Sequence, residues 1–149
     1  MMFRTHLAFG VFLALFFLPH IENKIVFVSV VLICSLLPDI DSIHSYLGRN
    51  FLFRPLQWAT RHRGLLHSFT FCVPITILFA LYLPVLALPF FLGYATHLLA
   101  DALTIEGIRP FWPSRAALLG RLRTGGRLED VFFTVIVVLD GVLFLRAVL

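Results

Sequence analysis

Charged residues divide this chain into four long apolar stretches, and their spacing restricts the possible folds more than any other feature. The stretches run from Thr5 to Ile21, Ile25 to Pro38, Leu65 to Ala100 and Val131 to Leu145. A membrane-spanning helix needs about 20 apolar residues at ~1.5 Å rise each, so the third stretch has length for two helices and the second is short for one. The long stretch must turn back on itself. Tyr82, Leu83 and Pro84, followed by Pro89, mark the break of an αα-hairpin with almost no loop. The short stretch must borrow length from its polar flanks, which brings Lys24 and Asp39 to the interface. Of 149 residues, 60% are hydrophobic and 13% charged, with a mean hydropathy of +0.96. One domain whose solvent is lipid is therefore expected over residues 1–149. Its expected fold is all-α, a polytopic membrane bundle of about five helices, because no stretch shows the sustained apolar and polar alternation of a strand.

No small-residue cleavage site follows the first apolar run, only Leu18 to Glu22, so the first helix is expected to stay attached. Cys34 and Cys72 are each embedded in an apolar run and read as small core residues. Arginine is unevenly placed. Arg49, Arg54, Arg61 and Arg63 fall in the second loop (Asp39 to Gly64), and Arg109, Arg115, Arg121, Arg123 and Arg127 in the fourth (Ile105 to Asp130). The first and third loops carry Lys24 as their only Arg or Lys. By the positive-inside rule the second and fourth loops and the N-terminus face the cytoplasm, and the C-terminus faces out, with Arg146 dissenting. No nucleic-acid partner is expected.

This topology gathers His6, Asp39, Asp41, His62, His67, His97, Asp101 and Glu129 near one membrane face. Ionisable groups near hydrocarbon are costly and are usually kept for a task. His97 and Asp101 stand four apart, on one face of a helix, where they can share a metal or form a hydrogen-bonded pair. His62 and His67 stand five apart, too far around a helix to converge unless Gly64 starts it and lets His62 fold back. Asp39 and Asp41 close the second run with two carboxylates suited to bridging cations, at a helix end where acids are otherwise unfavourable. His6 gains meaning only from its location. His20 lies at the opposite face, His44 is a loop residue without an evident partner, and Asp140, midway along the last helix, has no evident role. In the fourth loop, Arg121, Arg123 and Arg127 flank Gly125 and Gly126 before a helix start, a pattern that favours an anion such as phosphate; the same arginines also serve topology and anionic headgroups.

Taken in order, Thr5-His6, Pro38-Asp39-Ile40-Asp41, His62-Arg63-Gly64 with His67-Ser68, Gly93-Tyr94 with His97 and Asp101, Trp112-Pro113, and Thr124-Gly125-Gly126 with Glu129 form a pattern. It resembles the YdjM-like family of predicted membrane-bound metal-dependent hydrolases. That family's ligand pattern is similar to that of the zinc-dependent phospholipase C and P1-type nuclease group, helical enzymes that split phosphoesters with a cluster of metals. The resemblance implies that His6, Asp39, His67, His97 and Asp101 are metal ligands and that Asp41, His62 and Glu129 complete or orient the site. The enzyme group has further downstream ligands, whereas this chain has no histidine after Asp101. One or two ions are therefore expected rather than three.

The expected function is a membrane-bound metal-dependent hydrolase, with the site at the cytoplasmic surface and membrane lipids as its surroundings. Imidazoles and carboxylates suit Zn²⁺, with Mn²⁺ or Fe²⁺ admitted by the oxygen ligands. A divalent ion lowers the pKa of its water to about 7, which would supply the attacking hydroxide. Arg121, Arg123 or Arg127 would neutralise developing charge, and a lipid-linked phosphoester is favoured because the site lies among headgroups. Two rivals are a metal transporter and a noncatalytic metal-binding scaffold. A transporter would place ligands at the midplane, where only Asp140 falls; in a scaffold the polar cluster would serve helix packing alone.

Overall fold

The apolar stretches become helices in the expected order. They are α1 (Phe3–Phe17), α2 (Lys24–Cys34), the six-residue α3 (Arg54–Ala59) within the second loop, α4 (Phe69–Tyr82), α5 (Pro84–Ala102) and α6 (Arg127–Val148). The computed structural model describes residues 1–43, 45, 48–59 and 63–149, and nothing of the side chains of Leu56 and Ala59. Among the described residues there is no strand, only isolated bridges joining Thr104 to Leu122 and Ile108 to Leu118 in the fourth loop. Among the described residues, three helices are long and apolar enough to cross a membrane: α1 with the turn that extends it to His20, α5 and α6.

Proline marks several helix ends. Leu83 leaves the helical region at φ −142° and ψ 65°, and Pro84 opens α5, where its missing N–H costs nothing. The second stretch was expected to stay helical to Pro38, but α2 stops at Cys34 and a 3₁₀ turn, Leu37–Asp41, replaces its last part. Pro38 cannot donate to the turn before it, and that tighter turn carries Asp39 and Asp41.

Helix α5 is central, packed against α2 and α4, while α1 bridges α2, α5 and α6. Close approach depends on small residues, as in lipid-embedded bundles generally. A Cβ at Gly93 would stand 2.5 Å from the Val31 carbonyl oxygen, and one at Gly10 would stand 2.7 Å from Ser35 Oγ. Cys34, Cys72, Phe90, Tyr94, Leu98 and Ile108 form one buried apolar cluster. Ala14, Phe27 and Val31 form a second, between α1 and α2. Both cysteines are free and buried. Helix α6 is the outlier: 6% of its apolar window is buried. A helix apolar all round and packed on one side has found its solvent in lipid rather than water.

Candidate metal centre

Four chain segments that are remote in sequence meet at one end of the bundle. His67 ends the 3₁₀ turn Leu65–His67 just before α4. Its Nδ1 lies 3.1 Å from Asp41 Oδ2. The Nδ1 of His97, on the last turns of α5, lies 2.8 Å from the carbonyl oxygen of Ser35, the residue that closes α2. A carbonyl or an ionised carboxylate can only accept, so each Nδ1 carries a proton and Nε2 is the ring atom left to offer a metal. The two Nε2 atoms stand 3.3 Å apart. Asp39 Oδ1 lies 3.7 Å from Nε2 of His67 and 3.8 Å from Nε2 of His97. Asp101 Oδ2 lies at the same two distances. His6, from the first turns of α1, stacks on His97 with ring centroids 3.9 Å apart, and its Nε2 lies 3.3 Å from Asp101 Oδ1.

This set fits a divalent metal. Two ligands each about 2.0–2.1 Å from a tetrahedral Zn²⁺ lie about 3.3–3.4 Å apart, which is the observed separation of the Nε2 atoms. Donor atoms of His67, His97 and Asp101 all lie within 4.8 Å of one another, as do those of His6, Asp39 and His97. His6 Nδ1 is buried without a hydrogen-bond partner among the described residues, and Nε2, although near Asp101, makes no well-directed hydrogen bond. Leaving such a group unsatisfied costs about 1–3 kcal/mol, so a ligand role would remove a real penalty. Asp41 and the Ser35 carbonyl stand behind the two histidines and fix their tautomers, the arrangement that orients imidazoles toward metals.

The electrostatics also favour a cation. Burial opposes the charging of His67, yet the Asp39 and Asp41 carboxylates beside it, with Asp101 beyond, push it up to about 9. Burial opposes the ionisation of Asp39, yet the neighbouring imidazoles, His67 foremost through its hydrogen bond, hold its carboxyl down to about 2. The carboxylates thus hold a proton on His67, which a metal bound at its Nε2 would replace.

The remaining candidates fall elsewhere. The buried Glu129 accepts from the Met2 N–H at 2.6 Å, Thr5 Oγ1 at 2.8 Å and the Gly125 N–H at 2.6 Å. Those bonds lock the start of α6 to the start of α1 and orient the helix that carries His6, rather than aiming Glu129 at the donor set. Met1 adds an ammonium contact to Asp101, and Arg4 pairs with Asp130. His62 lies outside the described residues, as do Arg61 and His44. A cleft of about 340 Å³ leads to the site, with Asp39, Ser42, Ser45, Arg63, Asp101 and Glu106 in its walls. Arg121, Arg123 and Arg127 are exposed and do not line it. The sequence reading overlooked Arg63, counting it only as a topological charge although it sits between two of the motif's recognisable residues. A larger cleft of about 520 Å³, beside Phe16, His20 and Arg146, lies at the opposite end and away from every donor.

A family model described as the YdjM inner membrane protein matches residues 1–148. The chain belongs to the YdjM family. It is 38% identical over 96 residues to the inner membrane protein YdjM of Escherichia coli (strain K12), covering 58% of this chain and 48% of that one. The YdjM of Shigella flexneri gives the same identity and coverage. YvsG of Bacillus subtilis (strain 168), an uncharacterized protein, is 31% identical over 103 residues, covering 65% of this chain and 64% of that one. The chain therefore spans about half the length of the YdjM proteins it matches. No solved structure matches it. Membership in a family of inner membrane proteins agrees with the three apolar helices of spanning length.

Proposed function

We propose that this chain is a multi-pass membrane protein that holds one or two divalent ions through His6, Asp39, His67, His97 and Asp101 and hydrolyses a phosphoester there. The observation that carries the metal is the pair of inward Nε2 atoms 3.3 Å apart, each with its Nδ1 committed to an acceptor behind it. Zn²⁺ suits this set best, with Mn²⁺ or Fe²⁺ as the next candidates. A bound ion supplies Lewis acidity and an ionised water at neutral pH. The chain's own part is to orient the imidazoles through Asp41 and Ser35, to bring His6 in through the Glu129 lock, and to leave Asp39 open toward the cleft, 18% exposed.

The arginine-rich second and fourth loops lie on the site's side of the chain's apolar stretches, which supports a cytoplasmic site by the positive-inside rule. Phe51, Leu52, Phe111 and Leu119 on those loops are exposed apolar groups. Interleaved with arginines, they suit a headgroup region, which supports a lipid-linked phosphoester over a soluble one.

Elemental analysis of the purified protein beside His97→Ala tests the metal. We expect about one or two ions per chain in the wild type and a large loss in the variant. Hydrolysis of matched lipid-anchored and soluble phosphoesters tests the chemistry, with faster turnover expected for the former. Metal at full content with no turnover of any ester would replace the enzyme reading with a metal-binding scaffold.

A further inference from the structure

We infer that Arg63 is the group that holds the substrate's phosphoryl beside the metal ligands, and that Glu106 occupies its guanidinium until that phosphoryl displaces it. The inference rests on the metallohydrolase reading and deepens it. Arg63 has a φ of 60°, in the left-handed region that bulky residues rarely enter and keep only where surrounding contacts impose it. Those contacts are specific. Its side chain is 17% exposed, with Nη2 2.7 Å from Glu106 Oε2 and 3.6 Å from Asp101 Oδ2. Nη1 donates to the Gly107 carbonyl at 2.7 Å. The guanidinium is therefore held beside a candidate metal ligand, and an anion bound at that metal lies within its reach.

Glu106 is held differently. Its side chain is 62% exposed, and Arg63 is the partner the structure gives its carboxylate. A carboxylate and a phosphoryl group offer a guanidinium the same paired acceptor oxygens, but a phosphoryl carries more charge and can also engage the metal. Glu106 thus stands in for the substrate anion without matching its affinity.

The space around this pair agrees. The 340 Å³ cleft containing Asp39 and Asp101 has Arg63 and Glu106 in its wall. So does a second cleft of about 400 Å³ lined also by Gly64, Gly107, Arg109 and Trp112. A phosphoryl at Arg63 would have the metal ligands on one side and room for the rest of the molecule on the other, beside a further positive charge and an aromatic face. The ligand class is a phosphate ester whose esterified part lies in the second cleft.

The test uses the full zinc-loaded chain in detergent, with inorganic phosphate as the probe in isothermal titration calorimetry. Arg63→Gly removes the guanidinium while tolerating the left-handed backbone. Arg63→Lys keeps charge without the fork. We expect the phosphate Kd to rise about tenfold or more in Arg63→Gly and less in Arg63→Lys, and to fall several-fold in Glu106→Gln, with zinc content unchanged in all three. Unchanged phosphate affinity in Arg63→Gly overturns the inference. If that variant loses zinc, Glu106→Gln decides alone: tighter phosphate supports the inference and unchanged phosphate overturns it. Short-chain phosphatidic acid and glycerol phosphate, run side by side, distinguish a lipid source of the phosphoryl from a soluble one, and Arg63-dependent binding of either supports it. Arg63-dependent phosphate binding without hydrolysis of any ester would sink the hydrolase reading and leave the subsite standing. Hydrolysis that survives Arg63→Gly with unchanged phosphate affinity would do the reverse.

Discussion

Asp41 illustrates how one residue acts through another. Its carboxylate stands 3.1 Å from His67 Nδ1, on the far side of the ring from the donor set. Replacing it by Asn keeps the shape and removes the charge that fixes the tautomer. Asp41→Asn should weaken metal affinity about 10- to 100-fold, as loss of such supporting partners does elsewhere, measured by competition with a chromophoric chelator. His67 adds a pH dependence. Its metal-free value of about 9 lies above its ordinary 6.5, so the stability it contributes is complete below that ordinary value and is lost as pH rises through the higher one. Asp39, held down to about 2, loses its contribution only in strong acid. Thermal unfolding of the metal-free protein should therefore shift to lower temperature between neutral pH and about pH 9, and His67→Gln should flatten that dependence. Metal affinity should rise over the same window, because binding displaces the His67 proton.

At the scale of elements, the site depends on how closely α2 approaches α5. Gly93 lies one helical turn before His97, and a Cβ there would meet the Val31 carbonyl at 2.5 Å, Cys34 Cβ at 2.9 Å and the Ser35 nitrogen at 3.1 Å. The same approach places the Ser35 carbonyl against His97 Nδ1. Gly93→Leu should lower both thermal stability and metal affinity, whereas Gly141→Ala, with nothing within 4 Å of the new Cβ, should leave both near wild type. Equal behaviour of the two variants would remove the helix contact from the account of the site. Orientation is tested separately. A reporter fused after Arg115 should report cytoplasm and one inserted near Glu22 the exterior, and the opposite pattern would move the whole cluster to the other face.

For the whole molecule, the five residues assigned to the metal come from α1, the turn after α2, the turn before α4, and α5. A cation that joins them acts as a cross-link on the folded state. A chelator should lower the Tm of the purified protein in detergent and zinc should restore it, since ligand bound only by the folded chain adds to its stability. Hydropathy alone was sufficient for the five apolar helices and the hairpin at Leu83 and Pro84, though not for the short α3 or the early end of α2, because membrane helices are selected by length and apolarity and proline breaks them locally. The alternation of loop charge and the position of His6, Asp39, His67, His97 and Asp101 along their runs also indicated a common end. Tertiary structure decided what sequence order could not: that His6 stacks on His97, that the Ser35 carbonyl sets the His97 tautomer, and that Glu129 is spent on locking α1 to α6. It also distinguished Arg63, in the wall of the cleft, from the exposed Arg121, Arg123 and Arg127, which local pattern had favoured. The physical reason is range. Helix length and breaks follow from neighbouring residues, whereas the direction of a ring nitrogen or a guanidinium follows from acceptors contributed by segments many residues away.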